Sequence, residues 1–422
     1  MNTGCIPTKA LVRSAEIAHL ARHADRFGVR PNGGIEVDLS AVMDRKERIV
    51  GTIIERMERG IRANERVSVL RGAARFTAPT ELLVGEMPIL AKRVIVASGS
   101  RPSAPPIRGL ADAGYVTSDE IVSLRRLPSR LVVIGGGALG LEFAQMFGRF
   151  GSRVTVLERL AQLLPAEDAE IAEVVKRALV AEGLTVRTSA DVREVVVEDG
   201  VRVVRAVTDG VEERFPADEL LVATGRAPNV DGMALEAIGV AFDRRGVQVD
   251  KELRTAVPGV WAAGDVTGGL MFTHVAVYEG TIAAQNAVAD DHYEVDYRTA
   301  PRAVFIDPEV GAVGLTESQA REAGRRVRVG KHPYSSIGRA RVTEETEGLI
   351  KFVVAEDTRE ILGLHVAGVH GGELVHQGIL AMNAGLTTDA FLDSIFIHPT
   401  FMEGVQSAAE AVWSSAPPKM TH

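Results

Sequence analysis

The feature that most constrains the fold is a glycine-rich turn between two apolar segments. Residues 130–134 form an apolar run that predicts a buried strand, and the pattern G-x-G-x-x-G follows at residues 135–140. Residues 138–150 have helical spacing of apolar side chains, and residues 153–157 predict a second strand. Glu158 then stands 18 positions after the last motif glycine, a spacing typical of a dinucleotide-binding βαβ unit.

Each part of this motif has a physical role. Gly135, Gly137 and Gly140 let the backbone approach a pyrophosphate at the helix N-terminus, where N–H groups and the helix dipole favour negative charge. Glu158 can accept hydrogen bonds from a ribose 2′-hydroxyl and would repel a 2′-phosphate, which favours NAD over NADP. Arg159 is adjacent and leaves NADP open. The alternative interpretation is a glycine-rich turn in another kind of α/β unit.

An internal repeat accompanies this unit. RVIVASGSRP at residues 93–102 and ELLVATGRAP at residues 219–228 share an apolar strand, Ala, Ser or Thr, Gly and a final Pro. Each copy resembles the closing strand and turn of a nucleotide-binding unit. The second copy has its opening glycine motif at residues 135–140, whereas the first copy has no opening glycine motif. The sequence therefore predicts an α/β protein with two Rossmann-like nucleotide-binding domains, of which the first is incomplete.

The remaining segments predict further alternation of strands and helices. GVWAAGDVTGG at residues 259–269 predicts a strand that runs into Gly264 and Asp265, and helical spacing follows from Val275. The last third of the chain predicts strands, a hairpin and an apolar helix, which indicates a separate α+β domain. Residues 414–422 predict a disordered tail.

Composition restricts the classes of function. The chain has 422 residues, enough for several domains, and a net charge of −8, which disfavours nucleic acid or an anionic membrane surface as the main partner. We expect no membrane-spanning segment, because no apolar run approaches the roughly 20 residues that a bilayer requires. Cys5 is the one cysteine, so no structural disulfide can form within the chain, and a reducing cytoplasm fits.

Five motifs together resemble the class I pyridine nucleotide–disulfide oxidoreductases, the flavoenzyme family of dihydrolipoamide dehydrogenase, glutathione reductase and mercuric reductase. They stand in the family's order: GCIPTK (4–9), GGGALGLE (135–142), VATGRAP (222–228), AAGD (262–265) and HPTFME (398–403). The resemblance covers essentially the whole chain. It implies an FAD domain interrupted by an NAD(P) domain, followed by an interface domain that makes a homodimer. The implied boundaries are 1–116 and 236–298 for the FAD domain, 117–235 for the NAD(P) domain and 299–422 for the interface domain.

The resemblance also implies a role for Cys5. The family's redox motif holds two cysteines five positions apart, and Cys5 matches the one nearest the flavin. Its partner would fall one residue before Met1, so we expect a parent polypeptide with roughly 40 further N-terminal residues. A GTG valine codon of that parent, misread as the start codon, would give a sequence that begins at Met1. For the 422-residue chain alone we expect weak or absent FAD binding. We expect Cys5 to lie just before a helix that begins at Ile6. The alternative for Cys5 is a buried structural cysteine.

Four other side chains are implied to act in catalysis. Lys9 and Glu142 would pair beside the flavin and the nicotinamide, where a cation stabilises charge on reduced flavin. His398 would carry the proton for the interchange thiol of the other subunit, with Glu403 orienting the ring. The alternatives are a solvated helix lysine, a first-turn glutamate favoured by the helix dipole, and an ordinary surface histidine. His398 argues against a mercuric reductase, which resembles this family but lacks this histidine and carries a C-terminal cysteine pair.

The resemblance assigns the cofactor-binding residues by motif position. For FAD they are Lys9, Ala74, Ser98, Gly99, Ser100, Asp265, Met271, Phe272, Thr273 and His274. For NAD(P) they are Gly135, Gly137, Ala138, Leu139, Gly140, Glu142, Glu158, Val192 and Gly225. No metal site is expected.

Three functions remain open at this point. The first is an FAD- and NAD(P)-dependent, dihydrolipoyl-dehydrogenase-like oxidoreductase that acts on a small thiol or disulfide. The second is a flavin diaphorase or mercuric-reductase-like enzyme without dithiol turnover. The third is an inactive fragment that binds NAD and dimerises.

Overall fold

The computed structural model describes residues 3–31, 33–289 and 291–414. The predicted disordered tail falls almost wholly outside these ranges. The chain divides into two compact units. The first unit contains residues 48–104 and 225–297, and the second contains the described parts of 2–47, 105–224 and 298–422. In the part of the chain that the structure describes, no helix has the length and apolarity to cross a membrane.

The described residues form α-helices, β-strands and short 3-10 turns. The helices are α1 (Cys5–Arg22), α2 (Leu39–Arg62), α3 (Leu110–Ala113), α4 (Ser118–Ile121), α5 (Ala138–Phe150), α6 (Ala169–Ala181), α7 (Thr273–Ala289), α8 (Glu317–Glu322), α9 (Gly338–Thr343), α10 (Gly371–Asn383), α11 (Asp389–Leu392) and α12 (Met402–Ala411). The strands are β1 (Ala74–Ala78), β2 (Glu81–Val84), β3 (Met87–Leu90), β4 (Val94–Val96), β5 (Ser100–Pro102), β6 (Arg130–Ile134), β7 (Arg153–Leu157), β8 (Thr185–Arg187), β9 (Ala190–Glu198), β10 (Val201–Thr208), β11 (Val211–Ala217), β12 (Glu219–Val222), β13 (Arg226–Pro228), β14 (Phe242–Asp243), β15 (Gly246–Val247), β16 (Val260–Ala262), β17 (Arg302–Val304), β18 (Val310–Gly314), β19 (Val327–Pro333), β20 (Leu349–Ala355) and β21 (Ile361–Ala367). Within the described residues, 3-10 turns lie at Ala24–Phe27, Glu236–Ile238, Gly264–Thr267 and Tyr334–Ser336.

The first unit is built from short sheets, helix α7 and the part of α2 from Arg48 onward. Strands β1, β2 and β3 form an antiparallel meander, whereas β4 and β16 pair in parallel and β5 pairs antiparallel with β13. Its core gathers Phe76, Val96, Val260 and Val266, which are all buried. Ile282, Ala283 and Ala287 on the buried face of helix α7 pack in one apolar cluster with Trp261. Strand β16 ends at the Gly264–Thr267 turn, so the AAGD motif lies at the carboxyl end of a parallel strand.

The second unit contains three sheets. A parallel sheet has the strand order β12-β6-β7-β8, a three-stranded antiparallel sheet has the order β11-β10-β9, and a five-stranded sheet has the order β17-β18-β21-β20-β19. Strands β6 and β12 are almost wholly buried, as expected where helices cover a parallel sheet. Helix α5 is buried along most of its length and packs with α1 and β7 in one continuous apolar core.

The structure confirms the predicted α/β class and the central βαβ unit. Strands β6 and β7 and helix α5 begin and end where the sequence predicts them. One prediction was wrong by a residue, because Cys5 is the first residue of α1 rather than the residue before it. The domain boundaries remain a prediction.

Candidate active site

The three motif glycines have three different surroundings. Gly135 has φ +112°, and a Cβ there would collide with the carbonyl oxygen of Ala223. A Cβ at Gly140 would collide with the carbonyl oxygen of Gly135, so this glycine lets α5 pack on its own strand. Gly137 is different, because a Cβ there would meet nothing within 4 Å. The first and last glycines thus serve packing, and the middle one leaves open space where a pyrophosphate fits.

The N-terminus of α5 is prepared for an anion. Its N-cap is Gly137, which supplies no side-chain hydrogen bond, and its first turn holds no acidic residue. The N–H groups of that turn are therefore left to an external acceptor. Ala138 and Leu139, predicted to contact NAD, are the first two residues of this helix.

Glu158 is held in a fixed orientation at the end of β7. Only 8% of the residue is exposed, and its two carboxylate oxygens accept hydrogen bonds from Gly136 N–H and Leu160 N–H, both at 2.7 Å. A carboxylate offers about four lone-pair sites, so acceptors remain for a ribose hydroxyl. Open space at Gly137, an uncapped helix and an oriented carboxylate together fit an adenine dinucleotide.

Val192 and Gly225, also predicted to contact NAD, lie elsewhere. Val192 is a half-buried residue of β9 in the second unit. Gly225 is exposed, has φ +131° and belongs to the first unit.

The structure joins Lys9 and Glu142 into an ion pair, although they lie 133 positions apart. Lys9 Nζ donates to both carboxylate oxygens, at 2.9 and 2.7 Å, and Glu142 is only 2% exposed. The backbone N–H of Phe305 donates to Glu142 Oε1 at 2.9 Å, and Lys9 Nζ lies 4.5 Å from the centre of the Phe305 ring. Cys5 is exposed and precedes Lys9 by one helical turn on α1, so both side chains share a face of that helix.

A polar row along α5 continues from this ion pair, and sequence reasoning missed it. Gln145 Oε1 accepts from Asp307 N–H at 2.8 Å, and Gln145 Nε2 donates to the Asp307 carbonyl at 2.6 Å. Arg149 is 7% exposed and donates to the carboxylates of Asp307 and Glu182, both at 2.6 Å. Glu142, Gln145 and Arg149 follow helical spacing, which was the available signal, but their partner segment begins more than 150 positions away.

His398 and Glu403 form the predicted dyad. His398 Nδ1 lies 2.8 Å from Glu403 Oε1, and Glu403 Oε2 accepts from Thr400 N–H at 2.9 Å. The two bonds fix the carboxylate in the first turn of α12 and orient the ring, while 76% of the His398 side chain is exposed. The imidazole therefore presents its other nitrogen, Nε2, away from Glu403, as a proton carrier requires.

In the first unit, the residues predicted to contact FAD include two that meet directly. Ser100 Oγ donates to Asp265 Oδ2 at 2.6 Å and accepts from Arg226 Nε at 2.7 Å. Ser98 Oγ donates to the carbonyl oxygen of Asn229 at 2.7 Å. The others are placed as follows: Gly99 has φ +71°, Ala74 is exposed at the start of β1, Met271 and Phe272 precede α7, and Thr273 and His274 are its first two residues.

The side chains around Asp265 and the start of α7 fit a ligand that carries hydroxyl groups and an aromatic ring. Asp265 keeps carboxylate acceptor sites beyond its bond to Ser100, and its side chain is 23% exposed. The rings of Phe272 and His274 stack with their centres 5.5 Å apart. Among the described residues, no group of three His, Cys, Asp or Glu side chains could hold a metal ion.

A second buried ion cluster, also missed by sequence reasoning, supports the second unit. Lys351 on β20 is 2% exposed, and its Nζ lies 2.9 Å from Asp168, 2.7 Å from Glu170 and 2.9 Å from Glu317. Burial opposes ionisation of these carboxyl groups, but hydrogen bonds and charge from Lys351 outweigh it and lower the pKa of all three. The neighbouring His365 is fully buried, and burial lowers its pKa.

Comparison with known proteins identifies the family. The family model described as pyridine nucleotide-disulphide oxidoreductase matches residues 1–280, and the model of that family's dimerisation domain matches residues 300–409. The chain therefore belongs to the pyridine nucleotide–disulfide oxidoreductases, as its motifs predicted. Members of this family use FAD and NAD(P)H, which confirms the predicted cofactors, and the dimerisation domain supports a homodimer.

Curated relatives and solved structures agree with this assignment. A dihydrolipoyl dehydrogenase of Thermus scotoductus is 40% identical over 422 residues, which cover 99% of this chain and 90% of the relative. A mercuric reductase of Lysinibacillus sphaericus is 34% identical and covers 97% of this chain and 75% of the relative. The Cu(II) complex of the HOCl-induced flavoprotein disulfide reductase RclA from Escherichia coli aligns with a TM-score of 0.86 at 31% identity, covering 97% of this chain and 90% of that one.

Proposed function

We propose that the chain is a dihydrolipoyl-dehydrogenase-like enzyme that couples a small dithiol and its disulfide to NAD and NADH. In the proposed direction the dithiol loses two electrons and two protons, NAD⁺ gains a hydride, and one proton leaves to solvent. FAD, when bound, supplies the two-electron carrier between thiol and nicotinamide. The observation that carries the proposal is the Lys9–Glu142 ion pair, which lies one helical turn from Cys5.

Each polar side chain has a role in this proposal. Lys9 places a positive charge beside the site of reduction, and Glu142 keeps it oriented through two hydrogen bonds. Cys5, in the first turn of α1, supplies the thiol nearest the flavin. His398 holds or releases the thiol proton at Nε2, and Glu403 fixes the ring through Nδ1. The second thiol of a redox pair is not supplied by any residue of the 422-residue sequence.

We further propose NAD rather than NADP as the preferred nucleotide, because Glu158 presents an oriented carboxylate at the end of β7. Glu158 would accept a hydrogen bond from a 2′-hydroxyl and repel a 2′-phosphate. The proposed compartment is the reducing cytoplasm, since Cys5 is the one cysteine of the sequence.

The test is NAD⁺-dependent oxidation of dihydrolipoamide by the purified protein supplied with FAD, followed by the appearance of NADH. His398→Gln should lower this rate by about 10²–10⁴, because a positioned proton carrier contributes that factor. NADH-dependent dye reduction needs no such proton carrier and should be unchanged. His376→Gln, at an exposed histidine of α10, is the matched control and should alter neither rate. Equal rates in the His398 variant and the parent would contradict the proposal.

One observation favours a second candidate, an NADH-dependent diaphorase that passes electrons from flavin directly to a quinone, a dye or a metal ion. It is the single cysteine, which cannot form an internal redox disulfide. Cys5→Ser separates the two candidates. Loss of dihydrolipoamide oxidation with retained dye reduction supports the first, whereas dye reduction without any dihydrolipoamide oxidation in the parent supports the second. Protein that binds NADH but never acquires flavin absorbance would instead be an inactive dimerising fragment.

A further inference from the structure

A buried carboxylate lies behind the turn that carries Asp265. Glu279 on α7 is 1% exposed, and its Oε2 accepts the backbone N–H of Gly264 at 2.6 Å. Its other oxygen, Oε1, accepts the hydroxyl of Tyr297 at 2.7 Å. Glu279 and Tyr297 were absent from the sequence-based predictions, and all four residues belong to the first unit.

The hydrogen bond to Gly264 acts on a backbone conformation that needs support. Gly264 has φ +77°, and a Cβ there would lie 3.1 Å from the Cβ of Ala276 on α7. The turn therefore packs closely against α7, and Glu279 on that helix accepts the hydrogen bond from its Gly264 N–H. Thr267 Oγ1 donates to the Gly264 carbonyl at 2.9 Å and closes it from the other end. The direction of the next side chain, Asp265, depends on this turn.

Tyr297 keeps the carboxylate supplied with a donor. Burial, together with the hydrogen bond and negative charge of Glu279, raises the pKa of the Tyr297 phenol, so the hydroxyl stays protonated across the physiological range. A buried carboxylate with a persistent O–H donor on one oxygen directs its other oxygen toward Gly264 N–H. The chain of contacts runs from Tyr297 through Glu279 and Gly264 to Asp265, and ends at Ser100.

We propose that Glu279 and Tyr297 are positioning residues that preset the Gly264 turn, so that Asp265 presents its carboxylate to FAD before the cofactor arrives. This inference rests on the proposed function and on the contact between Asp265 and FAD that the family motif implies. Neither Glu279 nor Tyr297 touches the cofactor in this scheme. Their contribution is to fix one turn in advance, which lowers the ordering cost of binding.

The test is FAD binding to the full chain freed of flavin, measured by quenching of flavin fluorescence, with thermal unfolding measured in parallel. Glu279→Leu removes both acceptors and should weaken FAD binding at least about tenfold, whereas Glu279→Gln keeps an acceptor for Gly264 and should stay within about threefold. Tyr297→Phe should weaken binding by about threefold to tenfold. Asp265→Asn, which alters the proposed contact itself, should weaken binding about tenfold or more.

Two matched controls separate positioning from general stability. Tyr278→Phe removes a hydroxyl that accepts from Asp296 N–H, and it should leave FAD affinity within about twofold. Asn286→Ala removes a 1% exposed side chain of the same helix, whose amide donates to the carbonyls of Glu252 and Tyr293. It should lower the melting temperature while leaving FAD affinity within about twofold, because it does not touch the Gly264 turn.

The outcomes are distinct. If Asp265→Asn weakens FAD binding but Glu279→Leu and Tyr297→Phe weaken it no more than Asn286→Ala, the positioning role is overturned and the proposed FAD contact stands. If Asp265→Asn leaves FAD affinity unchanged, the proposed contact of Asp265 is wrong and this inference is overturned with it. If the chain takes up no FAD, as its incomplete first nucleotide unit predicts, the proposed function is overturned and this inference with it. If Glu279→Leu does not fold, Tyr297→Phe with its Tyr278 control gives the same decision.

Discussion

Replacing Lys351 with methionine would leave three carboxylates around an apolar side chain. Lys351 is 2% exposed and Asp168 is 3% exposed, so water cannot substitute for the lost ammonium group. Glu170 and Glu317 lie within 2.9 Å of the same nitrogen. Removing one partner of a buried pair costs about 3–5 kcal/mol, because the remaining charge stays buried without compensation. That free energy corresponds to a fall in melting temperature of roughly 5–15 °C for a large domain.

The chain offers a matched control on the adjacent strand. Lys331 of β19 is directly opposite Lys351 in the sheet, and its Nζ also lies 2.7 Å from Glu170. In this pair, however, the two side chains are 42% and 43% exposed. An exposed pair contributes about 0–1 kcal/mol, so Lys331→Met should lower the melting temperature by no more than a few degrees. The two variants differ in burial and share one carboxylate.

The pH dependence has a definite sign. Because Lys351 lowers the pKa of Asp168, Glu170 and Glu317 in the folded state, these groups stabilise the fold above the ordinary carboxyl range and lose that contribution as pH falls through their lowered values. Lys351→Met removes the part of that contribution that comes from Lys351, while Lys331 still pairs with Glu170 and Arg321 with Glu317. The difference between the variant and the parent should therefore be widest near neutral pH and narrow below about pH 4.

The assay is differential scanning calorimetry of the parent and the two lysine variants from neutral pH to about pH 3, below the ordinary carboxyl range. Adding Asp168→Asn to Lys351→Met should cost less than the sum of the single changes, because the double variant no longer buries that uncompensated charge. The reasoning is refuted if Lys351→Met is no less stable than Lys331→Met, or if its deficit is the same at both ends of the pH range.

Three further predictions follow from the nucleotide motif and the dimerisation domain. Gly140→Ala should lower the melting temperature by more than about 5 °C because its Cβ would collide with the backbone of Gly135, whereas Gly137→Ala should keep the melting temperature and weaken NADH binding in a fluorescence titration. Glu158→Ala should weaken NADH binding about tenfold and leave NADPH binding unchanged or stronger in the same titration; equal losses for both nucleotides would contradict the role of its carboxylate. Ile397→Asp, at a residue 78% exposed within the dimerisation domain, should shift the protein toward monomer in sedimentation velocity, and an unchanged dimer would place the interface elsewhere.

The sequence predicted the βαβ unit closely because its signals are local. Gly137 and Gly151 flank α5, and the apolar spacing between them permits few alternatives. The start of α1 was missed by one residue, because Gly4 offers no side-chain cap and Pro7 is tolerated in the first turn, where its missing N–H costs nothing. Local patterns thus define the middle of a helix better than an uncapped end.

The polar pairs behind the sites could not be predicted from one sequence. Lys351 and Asp168 lie 183 positions apart, and nothing in the pattern around either residue indicates the other. Glu279 lies on α7 and Tyr297 in the loop that follows this helix. The sequence around each residue is typical of a partly exposed position and does not indicate the other. The Lys9–Glu142 and His398–Glu403 pairs were predicted through family motifs rather than from physics. Pairing between residues that are distant in sequence depends on how sheets and helices pack, and the sequence near either residue does not determine that packing.

The polar row on α5 makes one helix common to two tasks. Its first turn follows the nucleotide glycines, and its Glu142, Gln145 and Arg149 bind the segment from Phe305 to Asp307, which connects β17 to β18 in the five-stranded sheet of the dimerisation domain. Any movement of that segment would therefore also displace α5, the helix that carries Glu142, the partner of Lys9. Sequence change in the dimerisation domain of such a protein is therefore constrained by its redox chemistry. A dimerisation domain taken from another protein would have to supply its own hydrogen-bonding partners for this helix.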